Sequence, residues 1–497
     1  MWVGKFALSD EGLPAGGVAW VDLGTTAASA PAVVNGAAYH PTYSSPDGIS
    51  ALYVTTEAVA AADAYIGGFR YRADGVLRVY DATAAVPAGS NTNQGIALTS
   101  DGQLCYTTGN TTSFNLNGVA VDALRRVYAA PLAFELQFAD LGAGAVDTAE
   151  EVFGTTPTFT RATTAWTRAS ASSIGWREVA SGVPRSYYST TAYLGYLAEG
   201  ARTNSALWAR DITNAVWVPV DITPAKDQIG IDGVANSASS ITATGANGTI
   251  LQTLVLTATS RTYSVFIKRL SGVGAIELTQ DGLAFTAVTV TSEYTQVSLN
   301  ASVLNPIIGI RIVDSGDSVA VDMNQEEAGA FASTPIPTTT AAVARNADVL
   351  TYPTTGWLNA AAGTFMLEAR SIIPVGTDHK PLQIDDGTAN ERIQFPLTSA
   401  DAAVFIVNDG GVAQASINTG TVTQNVSYKV SGAYEANNFA AVLDGGTVGT
   451  DTSGTIPTVT TMRVSDVLNG VPFFGPIRRV AYYAARLANA TLQGLTA

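Results

Sequence analysis

A single cysteine, Cys105, serves the whole 497-residue chain, which excludes an intramolecular disulfide framework and a cysteine-built zinc cluster. Charge is also scarce. Asp, Glu, Lys and Arg make up 13% of the residues, against the usual ~25%. Of these, 26 are basic and 41 acidic, a net charge of −15. A nucleic-acid partner is excluded, because binding phosphate needs a basic footprint. The five lysines, Lys5, Lys226, Lys268, Lys380 and Lys429, are scattered, so there is no polybasic membrane patch. No apolar run reaches the ~18 residues of a membrane-spanning helix, and no membrane insertion is expected. Residues 1–12 lack the apolar stretch of a secretion signal, so the chain is expected to fold in a cytoplasm. The catalytic spacings sought were a phosphate-cradling Gly-Lys-Ser/Thr loop, a Gly-x-Ser-x-Gly elbow and a His-Glu-x-x-His pair, and none occurs. The two histidines, His40 and His379, are far apart and read as solvated loop residues.

In place of charge stand Ser, Thr, Asn, Gln and Gly, with 47 glycines and 19 tyrosines. Thr, Val and Tyr favour strands, and long amphipathic helical faces are missing. The expected fold class is mainly β: an N-terminal β-hairpin repeat domain followed by two antiparallel β-sandwich (jelly-roll-like) domains. Residues 1–130 carry the imperfect repeat, in Gly68–Tyr80, Gly95–Tyr106, Gly118–Tyr128 and more loosely Gly36–Val54. Three of these copies turn on Asp-Gly, at Asp74-Gly75, Asp101-Gly102 and Asp47-Gly48, a hairpin signal. Residues 131–204 are dense in aromatics and read as an extended connector.

Residues 205–345 give alternating strands. Tyr263, Val265 and Ile267 share one face, and so do Val319, Val321 and Met323. Short strands spaced about ten residues apart point to an antiparallel sandwich. Ser333–Thr340 reads as a stiff Pro/Thr linker. A second series fills 346–497, with strands at Phe365–Ala369, Ile393–Pro396, Ala403–Val407, Tyr428–Ala433, Ala440–Leu443 and Met462–Val464. Its turns fall at Asp386-Gly387, Asp409-Gly410 and Asp444-Gly445. A closing helix near 486–495 is expected, with Asn489 as its N-cap.

Chemistry is sparse. Paired carboxylates suffice for a glycosidase, and Asp385, Asp386 and Glu391 offer oxygens on what reads as a loop. Calcium is a candidate ligand for the same loop, or for Asp409 or Asp444, although an EF-hand alternation is absent. The flat faces of Tyr187, Tyr188, Trp208 and Trp217 suit stacking on sugar rings, and equally suit core or subunit contacts.

Three segments carry a resemblance. Phe159–Thr163, Val179–Arg185 and Tyr196–Asn204, followed by Trp208–Trp217, resemble in order a signature of bacteriophage head spike, head fibre and tail fibre proteins. Ser186–Ser189 departs from the Asp-Tyr-Asp-Pro usual at that point, which leaves the role of that turn open. The block from Tyr263 to Thr339 resembles a carbohydrate-binding-module-like sandwich, and Gly363–Gln493 a concanavalin/laminin-G-like sandwich. The resemblance implies a virion protein, assembled in the host bacterial cytoplasm, whose 1–130 domain anchors to other virion proteins of capsid or tail. Its sandwiches, 205–345 and 346–497, would attach to host surface polysaccharide, in a homotrimer without enzymatic activity or a required cofactor. Two alternatives stand beside it: capsid decoration or a tail collar without ligand, and a fibre that degrades polysaccharide.

Overall fold

The computed structural model describes residues 156–497 apart from 373–375, 466–467 and 469–471, most of 132–148, and before that short strands alone. Among these, Gly68–Tyr71 pairs with Leu77–Tyr80 and Gln94–Leu98 with Leu104–Thr108, both antiparallel. The Asp-Gly turns of the N-terminal repeat lie outside the described residues.

The expected mainly-β architecture holds: the described residues form antiparallel sheets and one short helix. Two five-stranded sheets face each other between residues 218 and 328. One contains Val218–Val220, Gly248–Thr253, Ile307–Ile312, Ile276–Thr279 and Thr286–Val288; the other contains Ile222–Gln228, Ala238–Ala243, Ser318–Ala328, Thr259–Ser271 and Thr295–Val303. Their inward faces share a core of Trp217, Ile250, Tyr263, Val265, Ile310 and Val321. The Tyr263–Val265–Ile267 face points inward as its alternation requires. Met323 does not follow Val319 and Val321. Its φ of 52° marks a bulge where the pairing slips between Ser264↔Gln325 and Phe266↔Asp322. An extra residue reverses the faces beyond it, so Met323 packs outside the sheet against Trp166, Trp176 and Phe266.

A larger sandwich surrounds this one in sequence. Its seven-stranded sheet runs from Thr158–Thr160 through Val349–Pro353 to Val412–Thr421, and its ten-stranded sheet centres on Gly475–Tyr483. The stretch 131–204 is woven into both. Leu132–Gln137 and Tyr193–Ala198 pair with Gly475–Tyr483, and Thr158–Thr160 pairs with Val349–Pro353. Apolar residues drive this, since Phe134, Leu136, Tyr196 and Ala198 are buried in the same core as Phe365, Phe405 and Tyr482. The first sandwich is therefore an insertion within the second. Its entry strand, Arg202–Asn204, pairs antiparallel with its exit strand, Val343–Arg345, and forms a neck. Ser333–Thr340 is no free linker: Ser333, Thr334, Ile336 and Thr338 are buried, and Asn204 donates to the Ile336 carbonyl at 2.7 Å.

The helix spans Asn489–Thr496, so Asn489 is its first residue; Ala488 takes the cap position and no side chain caps it. Leu492 holds it to the sheet at Ala440 and Val442.

Candidate functional site

The neck is built on buried charge. Arg161, Arg185 and Arg345 meet Glu199 and Asp348, and all five are at most 2% exposed. Asp348 accepts from Arg161 Nη1 at 2.7 Å, from Arg185 Nη2, and from the Glu199 backbone N–H at 3.1 Å. Glu199 pairs with Arg185 and Arg345, each at 2.9 Å, and accepts from the Thr334 N–H and hydroxyl. Burial pushes the Glu199 carboxyl up, but Arg345, Arg185 and Thr334 outweigh it and hold the group below its ordinary value. Burial likewise works against the charge on Arg185, yet Asp348 and Glu199 hold it protonated. Three guanidiniums face two carboxylates here, and the buried Glu327 carboxylate, 3.7 Å from Arg202, also acts on Arg345.

Against this cluster opens a cleft of about 260 Å³. One wall is the hairpin of Ala165–Arg168 and Trp176–Val179, in which Trp166 and Glu178 are cross-strand neighbours. The other is Pro335–Pro337 with the exit strand, Val343–Arg345. Thr164 donates to Glu178 Oε1 at 2.7 Å, and the Arg210 guanidinium lies 5.3 Å from the Trp166 ring centroid on its face. Trp166 Nε1–H and Arg345 Nε–H, both buried, have no acceptor. The cleft lining thus combines the mostly buried Trp166 and two prolines with threonine side chains and one exposed carboxylate, Glu178, a mixture of apolar and polar groups suited to a small polar ligand.

None of the four aromatics picked from the sequence lines this cleft. Trp217 is 1% exposed in the inserted sandwich's core, its Nε1–H donating to the Leu207 carbonyl at 3.1 Å. A ring so enclosed has no face left for a sugar. Trp208 is half-buried against the same core. Tyr187 meets the edge of Trp176 at 6.4 Å, and Tyr188 packs on Tyr193 at 5.3 Å. Tyr187 and Tyr188 belong to the larger sandwich, so the structure does not bring the four together.

The carboxylate loop reads differently too. Asp385 is on strand Leu382–Asp385, wholly buried, and bound by Arg463 Nε at 2.8 Å and Gln383 Nε2 at 2.9 Å. Among the described residues, no three His, Cys, Asp or Glu side chains are grouped to hold a metal ion. His379 is buried rather than solvated, with Nδ1 bonded to the Thr377 carbonyl and Nε2 to Ser371 Oγ, both at 2.9 Å. Burial lowers its pKa, so it is held neutral as a core residue.

No known family model matches the chain, and no curated protein matches its sequence. Solved structures give partial overlaps. The structure of Ruminococcus gnavus IT-sialidase CBM40 bound to α2,6-sialyllactose is similar at 16% identity, over 28% of this chain and 84% of that one, with a TM-score of 0.25. The tandem CBM22 domain of Paenibacillus barcinonensis Xyn10C is similar at 12% identity, over 58% and 99%, with a TM-score of 0.22. Trypanosoma rangeli sialidase is similar at 9% identity, over 84% and 81%, with a TM-score of 0.24. At this level the class rests on the strand pairing itself: an antiparallel β-sandwich protein with one sandwich nested in another.

Proposed function

We propose that the chain is a bacteriophage attachment protein that binds a host-surface saccharide, without cleaving it, in the cleft at the neck. The observation that carries this reading is the cleft itself: Trp166 and two prolines beside Thr163, Thr164 and the carboxylate of Glu178, at the joint between the two sandwiches. The residues of the fibre-like signature support it. Arg161, Arg185 and Glu199, one from each segment, are the charges that lock the neck. In this reading the signature preserves a joint that fixes two sandwiches in one relation, as a projecting fibre or spike requires. The 1–130 region would anchor it to capsid or tail proteins in the virion, in a homotrimer that multiplies weak single sites. A glycosidase needs two carboxyl groups flanking the bond, and the cleft lining supplies one, Glu178.

The test is binding of the full chain to arrays of bacterial surface polysaccharides, alongside sedimentation equilibrium. Retention on at least one glycan, lost in Trp166→Ala and without release of reducing ends, is the expected outcome. A mass near three times 51.3 kDa supports the trimer. A well-folded chain that retains no glycan points to a decoration or collar subunit, and release of reducing ends points to a depolymerase.

A further inference from the structure

We infer that strand Thr295–Val303 is a docking edge on which a second copy of this chain adds the same strand, antiparallel, about a two-fold axis. An unpaired strand edge invites pairing, and folded proteins guard theirs with short strands, proline, charge or bulges. Among the described residues, the other outer strands of the two sandwiches are guarded in these ways. Val218–Val220, Thr286–Val288, Thr158–Thr160, Asp140–Gly142 and Gly449–Asp451 have three residues each. Ile222–Gln228 carries Pro224, Lys226 and Asp227, and Leu132–Gln137 carries Glu135. Val412–Thr421 pairs with two register shifts, and the Thr455 N–H donates to its Gln414 side chain at 3.1 Å. Thr295–Val303 has none of these devices. Its nine residues include no proline and no charge, and its ladder to Thr259–Ser271 runs unbroken. No residue in it is buried, and no described backbone group bonds to its far side.

The strand's own pattern fits it to its copy. Val297 and Leu299 pack half-buried against the sandwich core, and Gln296, Ser298 and Asn300 alternate onto the opposite face. Pairing the strand antiparallel with itself about Leu299 sets Leu299 against Leu299 of the second copy and Val297 against Ala301. On the other face Ser298 meets Asn300, and Gln296 meets Ser302. Apolar thus meets apolar and polar meets polar, a register that side-chain alternation enforces. Charge selects the same place. On a chain of net charge −15, contact between copies is repulsive over most of the surface, and a neutral strand brings no like charge to its copy. Alternate residues of an antiparallel strand turn N–H and C=O to its far side, so pairing satisfies them and completes the burial of Val297 and Leu299. The contact is two-fold, so it joins one assembly to the next whatever the chain's own oligomer, and it does not depend on the neck cleft.

The experiment is sedimentation equilibrium of the full chain over a concentration series, with Ser298→Lys and, as its control, Ser416→Lys. Both serines are exposed, and Ser298 is the one on the proposed edge. The wild-type mass should double as concentration rises. Ser298→Lys sets one lysine from each copy about 8 Å apart, two residues along and one strand across, and should weaken the doubling about fivefold or more. Ser416→Lys should leave it unchanged. A nitroxide on Ser298→Cys, with the single native cysteine removed by Cys105→Ser, should show dipolar broadening that dilution with unlabelled chain abolishes. A mass that never doubles overturns the docking edge. So does doubling untouched by Ser298→Lys, an equal loss in both lysine variants, or doubling without broadening. Glycan retention is unaffected by any of these results and tests the saccharide reading separately.

Discussion

Replacing Glu326 by glutamine should stabilise the inserted sandwich in alkaline solution and do nothing in acid. Glu326 is wholly buried on strand Ser318–Ala328. The bulge at Met323 turns it inward, and its hydrogen-bond donor is the Gln280 amide, at 3.1 and 3.4 Å. Burial raises its pKa from 4.5 to about 7, against the smaller pull of Gln280 and Arg261 and helped by Glu327. A carboxyl raised in the folded state contributes its stability below the unfolded value, near 4.5, and loses it as pH rises through 7. A rise of about 2.5 units at 1.36 kcal/mol each makes the full cost above pH 7 about 3 kcal/mol. The amide of the Glu326→Gln variant would keep an acceptor for Gln280 and carry no charge. Urea unfolding of the full chain, followed by tryptophan fluorescence through the Trp217 core, measures this at pH 4 and pH 8. The variant should gain about 3 kcal/mol at pH 8 and nearly nothing at pH 4. An equal change at both values, or no gain at pH 8, would refute an ionised Glu326 as the source of the cost.

Asp348→Asn strips the charge that pairs with Arg161 and Arg185, and removing one partner of a buried pair costs about 3–5 kcal/mol. Urea unfolding of the larger sandwich should show that loss, unchanged between low and high salt because the site is shielded. A fragment beginning at residue 205 lacks the strands that pair with Gly475–Tyr483 on one side and the core residues Phe134, Leu136 and Tyr196. Far-UV circular dichroism and dye binding should show its larger sandwich molten, whereas a fragment of 205–342 should unfold cooperatively.

What the chain discloses in one dimension is local. The alternation of Phe365–Ala369, Ala403–Val407 and Tyr428–Ala433 places strands found at Ala362–Arg370, Ala402–Asp409 and Ser427–Glu435. Asp444-Gly445 takes the positive φ values, 46° and 67°, that a tight hairpin turn requires. The failures are long-range. Nothing near Arg161 announces Asp348, 187 residues away, so a stretch that completes two sheets reads as a connector. Likewise Pro335–Pro337 reads as a linker, since its role as a cleft wall depends on a hairpin much earlier in the chain. Aromatic residues drew attention as sugar platforms, yet the same apolar surface that would stack on a ring is what buries Trp217. The useful signal at the cleft was Trp166 beside a Thr-rich run, and aromatic content alone does not separate it from its neighbours.

Nesting one sandwich inside another imposes an order on synthesis. When Tyr193–Ala198 leaves the ribosome, its partner at Gly475–Tyr483 is still about 280 residues from being made. At roughly 5–20 residues per second that is a wait of about 15–55 seconds with bare strand edges, and until residues 345–348 emerge Arg161 lacks Asp348 and Glu199 lacks Arg345. The inserted sandwich, whose strands are contiguous, can close during that interval. By pairing Arg202–Asn204 with Val343–Arg345 it brings the two halves of its host together and shortens the loop that must be closed. The inner domain then acts as an internal chaperone for the outer one, and a defect in its folding would surface as aggregation of a sandwich it does not belong to.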